Sequence, residues 1–377
     1  MDINNIKVIK SDTGERLIGT VGDFELWYNF PPGFNLLERV EPFVCAALIP
    51  SMLAGSDVVV PGNMPLCPVL LKNLYKVQEI FLCRQNHLGI KLKPVLIKGG
   101  RPQHADNNGK TVSFFSGGVD GTYTYLKEKQ NIDDLLFVKG IDIQLDNDTL
   151  YDEAYRRNRQ FLTSEGRDLV QVTSNVRYLG YHQKMSWNSW NGGGLSSIAM
   201  AAGYKHCLIA SGKSYAEFFP EGSSYVSDHL WSSAGCQIEH HAAGAARIQK
   251  TAVIAAHPGA LSMLRVCWHD KNYNCGECEK CLRTMVALEL LGVTGAPFPA
   301  WDDTQLKKLS RLRFHSEKDV ANFQQVQRMA KDKNNKQIYT VVTKILNHFY
   351  WRQLFKECDR LMFGGRLFNL RRRANTH

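Results

Sequence analysis

A chain of 377 residues, 44% hydrophobic and 22% charged, has enough apolar material for two or three folded domains, which excludes a disordered chain and a small disulfide-stapled scaffold. The net charge of +10 lies entirely in residues 301–377, where 17 Lys or Arg face 7 Asp or Glu; residues 1–300 are neutral on balance and do not read as a general nucleic-acid surface. No stretch reaches the roughly eighteen apolar residues of a membrane span, and the polar opening MDINNIKVIKSDTGER lacks a secretory signal's apolar core, so the expectation is a cytoplasmic protein with no membrane span.

Residues 1–108 read as an N-terminal accessory domain of α+β type. IKVIK and ELWYNF have strand character and are separated by polar turns. Residues 43–53 suit a buried helix, and VQEIFLC (77–83) a second short element. LGIKLKPVLIK (88–98) alternates apolar and basic residues like a strand with one wet face. The turn-rich segment GGRPQHADNNGK (99–110) marks a boundary.

Residues 109–295 change character. The strand VSFF leads through a glycine turn into a helix opening near Asp120. LLFVKGID (135–142), DLVQVTS (168–174) and HCLIAS (206–211) read as further strands, with helices at 148–166 and 196–204 between them. This alternation predicts an α/β fold with a parallel sheet, whose ligands bind at the carboxyl ends of the strands. IQKTAVIAAH and ECEKCLRTMVALELLG read as helices flanking a cysteine cluster.

The loop Ser116-Gly117-Gly118-Val119-Asp120-Gly121-Thr122 lies at such a strand end. Adjacent glycines let backbone N–H groups turn toward a polyphosphate, and a helix N-terminus adds unpaired donors and a favourable dipole. Ser116 and Thr122 offer hydroxyls, and Asp120 can help hold Mg²⁺ against the phosphates. Neither the Walker pattern nor the Gly-x-Gly-x-x-Gly dinucleotide pattern is present. The bland reading is an ordinary strand-to-helix turn.

Other candidates follow from position. Lys213, at the end of HCLIAS, either meets pyrophosphate and the charged transition state or is a solvated loop lysine. Asn175, closing the third strand, is a candidate contact to adenine or substrate, and Arg177 to a carboxylate. Trp187 and Trp190, beside three glycines, suit a lid or aromatic platform, or pack onto the core. Arg247 and Lys250, three apart on one helix, are candidate phosphate contacts. His240 and His241 receive no role.

Of the ten cysteines, six (Cys45, Cys67, Cys83, Cys207, Cys236, Cys358) are scattered like buried free thiols. Cys267, Cys275, Cys278 and Cys281 share one polar window with C-x7-C-x2-C-x2-C spacing. Four thiolates at these gaps can surround one Zn²⁺ tetrahedrally; the last three also match an iron–sulfur run. Zinc is favoured because nucleotide activation needs no electron transfer. Lys280 and Arg283 offset the thiolates' negative charge.

The segment SFFSGGVDGTYTYL resembles the PP-loop of N-type ATP pyrophosphatases, whose signature is Ser-Gly-Gly-x-Asp-Ser. Gly121 stands where that signature has Ser or Thr, and Thr122 is the nearest replacement hydroxyl. The resemblance implies a parallel-sheet domain of the adenine nucleotide alpha hydrolase-like (HUP) class, with ATP cleaved between its α and β phosphates. The PP-loop followed by the four cysteines and Arg283 is similar to 7-cyano-7-deazaguanine synthase and its relatives, over roughly residues 109–295. The similarity implies zinc at the cysteines and adenylation of a deazapurine carboxylate that ammonia then converts to a nitrile. Relatives in anti-phage defence modify a protein instead, so the implied acceptor is a small molecule or a protein. SGKSYAEFFPEGSSYVSDHLWSS does not resemble the core enzymes' substrate segment, and both flanking regions are extra.

Residues 296–377 read as a basic helical C-terminal region: QLKKLSRLRF, VANFQQVQRMAKD and YTVVTKILNHFYWRQLFKECDRLM suit amphipathic helices. FNLRRRANTH, at the end of the sequence, suits an RNA, acidic protein or anionic lipid contact, or a solubilising frayed end. A second copy of the chain is a further candidate partner. Two other functions remain open on the sequence: a tRNA-modifying PP-loop enzyme that uses this tail, and a non-catalytic nucleotide- or partner-binding relative.

Overall fold

The computed structural model describes residues 1–269, 272–314 and 316–363. The chain divides into two compact units, Met1–Tyr273 and Asn274–His377.

The first unit is built on one mixed sheet. Three strands, β1 (Ile3–Ser11), β2 (Gly14–Val21) and β3 (Phe24–Phe30), form an antiparallel meander. Helix α1 (Glu41–Ala54) follows, with Pro42 in its first turn and a left-handed Gly55 at its end, the usual proline-in, glycine-out asymmetry. Its sequence EPFVCAALIPSMLA is apolar nearly all round, so it is buried on every side. Next come β4 (Val58–Leu66), α2 (Pro68–Leu88) and β5 (Ile97–Pro102), with β4 and β5 paired in a small parallel sheet.

The parallel core then begins: β6 (Thr111–Phe114), α3 (Val119–Glu128), β7 (Asp134–Lys139), α4 (Asp148–Ser164), β8 (Val170–Ser174), α5 (Val176–His182), α6 (Asn191–Ala201), β9 (His206–Ala210) and β10 (Gln237–His241). Two helices, α7 (Arg247–Ala255) and α8 (Pro258–Ser262), complete the unit. The sheet order is β1-β2-β3-β8-β7-β6-β9-β10, and the last five strands in that order are mutually parallel. Numbered among themselves they run 3-2-1-4-5, the doubly wound order, with its topological switch between β6 and β9. Strands such as DLLFVK have an unbroken apolar middle (residues 135–138) because both faces are covered.

The fold is thus α/β with a Rossmann-like mixed sheet, an N-terminal extension and a helical C-terminal part. The turn-rich segment at 99–110 does not separate two sheets, because β3 pairs antiparallel with β8 (Tyr28 opposite Ser174, Asn29 opposite Thr173) and the meander extends the core sheet. The three glycines 192–194 lie inside α6. A Cβ on Gly193 would come within 2.8 Å of the Cys45 carbonyl oxygen, so these bare positions let α6 lie against α1.

The second unit contains α9 (Glu279–Leu291), α10 (Asp303–Ser310), α11 (Glu317–Asp332) and α12 (Lys336–Phe363). Asp302 caps α10 by accepting from the Thr304 and Gln305 N–H groups. The basic end, residues 368–377, lies outside the described residues. Among those described, no helix is long and apolar enough to cross a membrane.

Candidate functional site

The Ser116–Thr122 loop joins β6 to α3 at the switch point. Val119 and Thr122 are buried and anchor the turn, while Ser116, Gly118, Asp120 and Gly121 are partly exposed. Gly117 has φ +77°, a conformation that favours glycine. A Cβ there would also lie 2.5 Å from the Asn158 Oδ1 atom. Gly118 occupies the N-cap of α3, and no side chain caps the helix, leaving its first N–H groups to face an anion. The glycine at 121 has a packing reason. A Cβ at that position would meet the Phe114 carbonyl oxygen at 2.9 Å, so the serine of the PP-loop signature does not fit without a shift.

Polar groups with no hydrogen-bond partner within the protein surround this loop. Asn158, on α4, is fully buried and neither its Oδ1 nor its Nδ2 is bonded. Thr122 Oγ1 is in the same condition. Arg265 is 5% exposed, its backbone N–H donates to the Gly117 carbonyl at 2.8 Å, and its Nε and Nη2 are unbonded. A buried unmade hydrogen bond costs about 1–3 kcal/mol, so such groups gather where a polar ligand completes them. Among them Asn158 Nδ2, Thr122 Oγ1 and Arg265 Nε and Nη2 are donors with hydrogen bonds to give.

Asp120 meets two cations from α7. Arg247 Nη2 lies 2.7 Å from Asp120 Oδ2, and Lys250 Nζ 3.5 Å from Asp120 Oδ1. Lys250 is 1% exposed and donates to the Ser211 carbonyl at 2.6 Å. Burial pulls its pKa below the usual lysine range; Asp120 opposes that shift and Arg247 adds to it. The structure therefore joins the loop, α7 and the carboxyl end of β9.

At that end, Lys213 sits with its ammonium 5.0 Å from the centre of the Phe219 ring. It lines a cavity of about 20 Å³ together with Ser211, Glu217, Phe218, Tyr225 and His240. The two histidines, unassigned on the sequence, point to different partners. His241 Nδ1 lies 3.1 Å from Thr124 Oγ1 and its Nε2 3.3 Å from Glu128 Oε1. His240 lies between Asp228 and Ser211.

Asn175 is engaged within the sheet. Its Oδ1 accepts from the Trp27 N–H at 2.9 Å and its Nδ2 donates to the Glu25 carbonyl at 2.7 Å. Both ends of the amide help to fasten β3. Arg177 donates to the Ile141 carbonyl and lies over the Tyr181 ring. Trp187 and Trp190 are buried in the core, edge to face at 5.1 Å, and form no lid.

Sequence reasoning missed Asn158, Arg265, Asp228 and Ser211. Two of them left a signal. Asn158 occupies a core position in the buried stripe Leu150, Ala154, Asn158, Phe161 of α4, and Arg265 interrupts the apolar run around Leu264 and Val266. A polar residue on a buried stripe needs a partner.

The Cys267, Cys275, Cys278 and Cys281 sulfurs lie within 4.8 Å of one another, and Cys275 and Cys281 are 3.9 Å apart. Zn–S bonds of about 2.3 Å in a tetrahedron place sulfurs about 3.8 Å apart, so the set can coordinate a zinc-type ion. Backbone N–H groups already point at the sulfurs: Glu277 and Cys278 at Cys275 (3.4 and 3.3 Å), and His269 at Cys267 (3.4 Å). Gly276, at φ +67°, makes the turn, and a Cβ there would strike the Pro299 ring at 2.7 Å. Arg283, expected to offset thiolate charge, is paired with Glu279 at 3.0 Å.

Comparison with family models, curated proteins and solved structures finds no match to this chain. The identification that the fold and site carry is therefore a general one: a Rossmann-like α/β protein with a glycine loop at its sheet's switch point and a four-cysteine cluster able to coordinate metal.

Proposed function

We propose that this chain is an ATP-dependent ligase or synthase of the PP-loop kind, forming AMP and pyrophosphate. The supporting observation is the ring of buried, unbonded polar side chains (Asn158, Thr122 and Arg265) around a glycine turn that opens a helix. The triphosphate lies along the N–H groups of residues 116–122, met by these side chains and by Arg247 and Lys250. Asp120 is the residue that would hold a Mg²⁺ ion, which would supply neutralisation of phosphate charge. An acceptor carboxylate or amide oxygen attacks the α-phosphorus, and the bond to the β-phosphate oxygen breaks. A nitrogen nucleophile then displaces AMP. The protein's share is positioning and charge stabilisation. Zn²⁺ held by the four cysteines is structural, since a closed four-sulfur site leaves no open position.

The acceptor class is a deazapurine carboxylate or a protein carboxylate or amide, carried by the PP-loop and cysteine motifs together. With ³²P-labelled ATP and 7-carboxy-7-deazaguanine or a candidate protein, labelled pyrophosphate is expected, together with AMP or an adenylate. Release of γ-phosphate with no pyrophosphate would sink the proposal. Asp120→Ala is expected to abolish turnover and leave zinc content unchanged.

The tRNA-modifying alternative, where it needs a catalytic cysteine pair, is disfavoured by thiol chemistry. Cys207 and Cys236, the candidate pair near the sheet, are buried, and burial pushes the Cys236 thiol up to about 12 and Cys207 well above its ordinary value. Neither is an available thiolate.

A further inference from the structure

Ser211, His240 and Asp228 stand in a hydrogen-bonded row. His240 Nε2 lies 2.7 Å from Ser211 Oγ, and His240 Nδ1 lies 2.7 Å from Asp228 Oδ2. Asp228 is fully buried, and its carboxylate is further held by Ser223 Oγ at 2.6 Å and the Ser224 N–H at 3.0 Å. A carboxylate on Nδ1 fixes the proton there and leaves Nε2 as the acceptor facing the serine. Nucleophile and base within hydrogen-bond reach, with the base oriented by a third group, are the geometric signature of an activated hydroxyl.

The row is also placed for chemistry. Ser211 directly follows β9 and His240 lies in β10, both at the carboxyl edge of the parallel sheet. Both residues line the cavity of about 20 Å³ that Lys213 shares, with Ser211 itself fully buried in its wall. The same hydroxyl has the Lys213 carbonyl oxygen 2.5 Å away as a competing acceptor, so entry of a substrate need only turn the O–H from that oxygen to Nε2.

We propose that Ser211, His240 and Asp228 form a nucleophilic triad that accepts a small acyl group from an activated carboxyl donor (an ester or an acyl phosphate anhydride). Ser211 Oγ forms a bond to the acyl carbon, its proton passes to His240 Nε2, and the donor's leaving group departs with the bonding pair. Water or an amine then attacks the acyl-serine, and His240 returns the proton to Oγ. Lys213 is the cationic residue in the lining of the cavity. At about 20 Å³ the cavity holds about one water, so it must widen to admit an acyl donor, and the smallest donors are admitted first. No step requires ATP, although the row adjoins the nucleotide loop through Lys250, which donates to the Ser211 carbonyl.

The test is sulfonylation of the full chain by methanesulfonyl fluoride without ATP, followed by peptide mass spectrometry. Oγ attacks sulfur, the proton goes to His240 and fluoride leaves. The expected result is a single adduct on Ser211, absent in Ser211→Ala and formed at least about a hundredfold more slowly in His240→Gln, the scale of a lost general base. Asp228→Asn is expected to slow it as well. The wild-type chain unfolded in urea supplies a comparison that does not depend on any variant folding, and there Ser211 is expected to gain no adduct. No adduct on the native chain, equal labelling in urea, or an unchanged rate in folded His240→Gln overturns the proposal. Pyrophosphate release in the ATP assay has no bearing on any of these outcomes.

Discussion

Arg247 Nη2 and Asp120 Oδ2 lie 2.7 Å apart, tying the first turn of α7 to the first turn of α3. Lys250 reaches the same carboxylate from a position with almost no solvent contact. Two cations share one carboxylate, a local excess of positive charge that Glu217 also opposes at Lys250.

That excess gives Lys250 a measurable pH signature. Its folded pKa is lowered, first by burial, against the pull of Asp120 and with the help of Arg247. Between the lowered value and the ordinary lysine range the unfolded chain binds more protons, so stability rises with pH across that window. Below the folded value the cost of the buried charge is fully present. The stability of the wild-type chain minus that of Lys250→Met, from urea unfolding at stepped alkaline pH, is expected to climb. A flat or falling difference contradicts the assignment.

Gly121→Ser restores the PP-loop signature, yet the packing opposes it. Serine gains up to about 0.5 kcal/mol of helix propensity over glycine. Against this, a Cβ 2.9 Å from the Phe114 carbonyl forces a shift costing about 1–3 kcal/mol. The overpacking term wins, and the urea midpoint is expected to fall. A rise would show that α3 can move off β6.

Asn158→Leu separates folding from binding. Removing an unbonded buried amide for a side chain of similar shape is expected to raise stability without nucleotide by about 1 kcal/mol. The extra stability conferred by Mg-ATP is expected to shrink, with affinity about tenfold weaker, the equivalent of one lost hydrogen bond at about 1.4 kcal/mol. Thermal shift with and without Mg-ATP reads both effects. An unchanged ATP-induced shift removes Asn158 from the binding site.

The four-cysteine cluster predicts one zinc per chain by elemental analysis. Cys275→Ser is expected to bind little of it and to lower the thermal midpoint markedly, since metal binding at a structural site is folding free energy. A strong chelator is expected to reproduce the loss in the wild-type chain. Full metal retention in the variant would place the ion elsewhere.

Features with a local physical cause were legible in the sequence. The glycine turn between VSFF and α3 needs bare residues, and the cysteine spacing needs one metal. Features created by pairing across the chain were not. Strand β10, QIEHH, has one apolar residue facing the core, too little alternation to announce a strand. Helix α2 carries the buried stripe Leu70, Leu74, Val77, Phe81 over about three turns, yet the reading took only the middle of the helix because polar residues separate the anchors. Asn175 sits at the strand end where ligand contacts are expected, and only the pairing of β3 with β8 shows its amide already in use.

That pairing also bears on how the molecule is made. The meander at residues 3–30 can close on itself as soon as it emerges, but its outer neighbour, residues 170–174, is then still to be translated. At about 5–20 residues per second, the exposed edge of β3 waits on the order of ten seconds or more for that partner. During synthesis it is an unprotected β edge, open to pairing with other nascent chains.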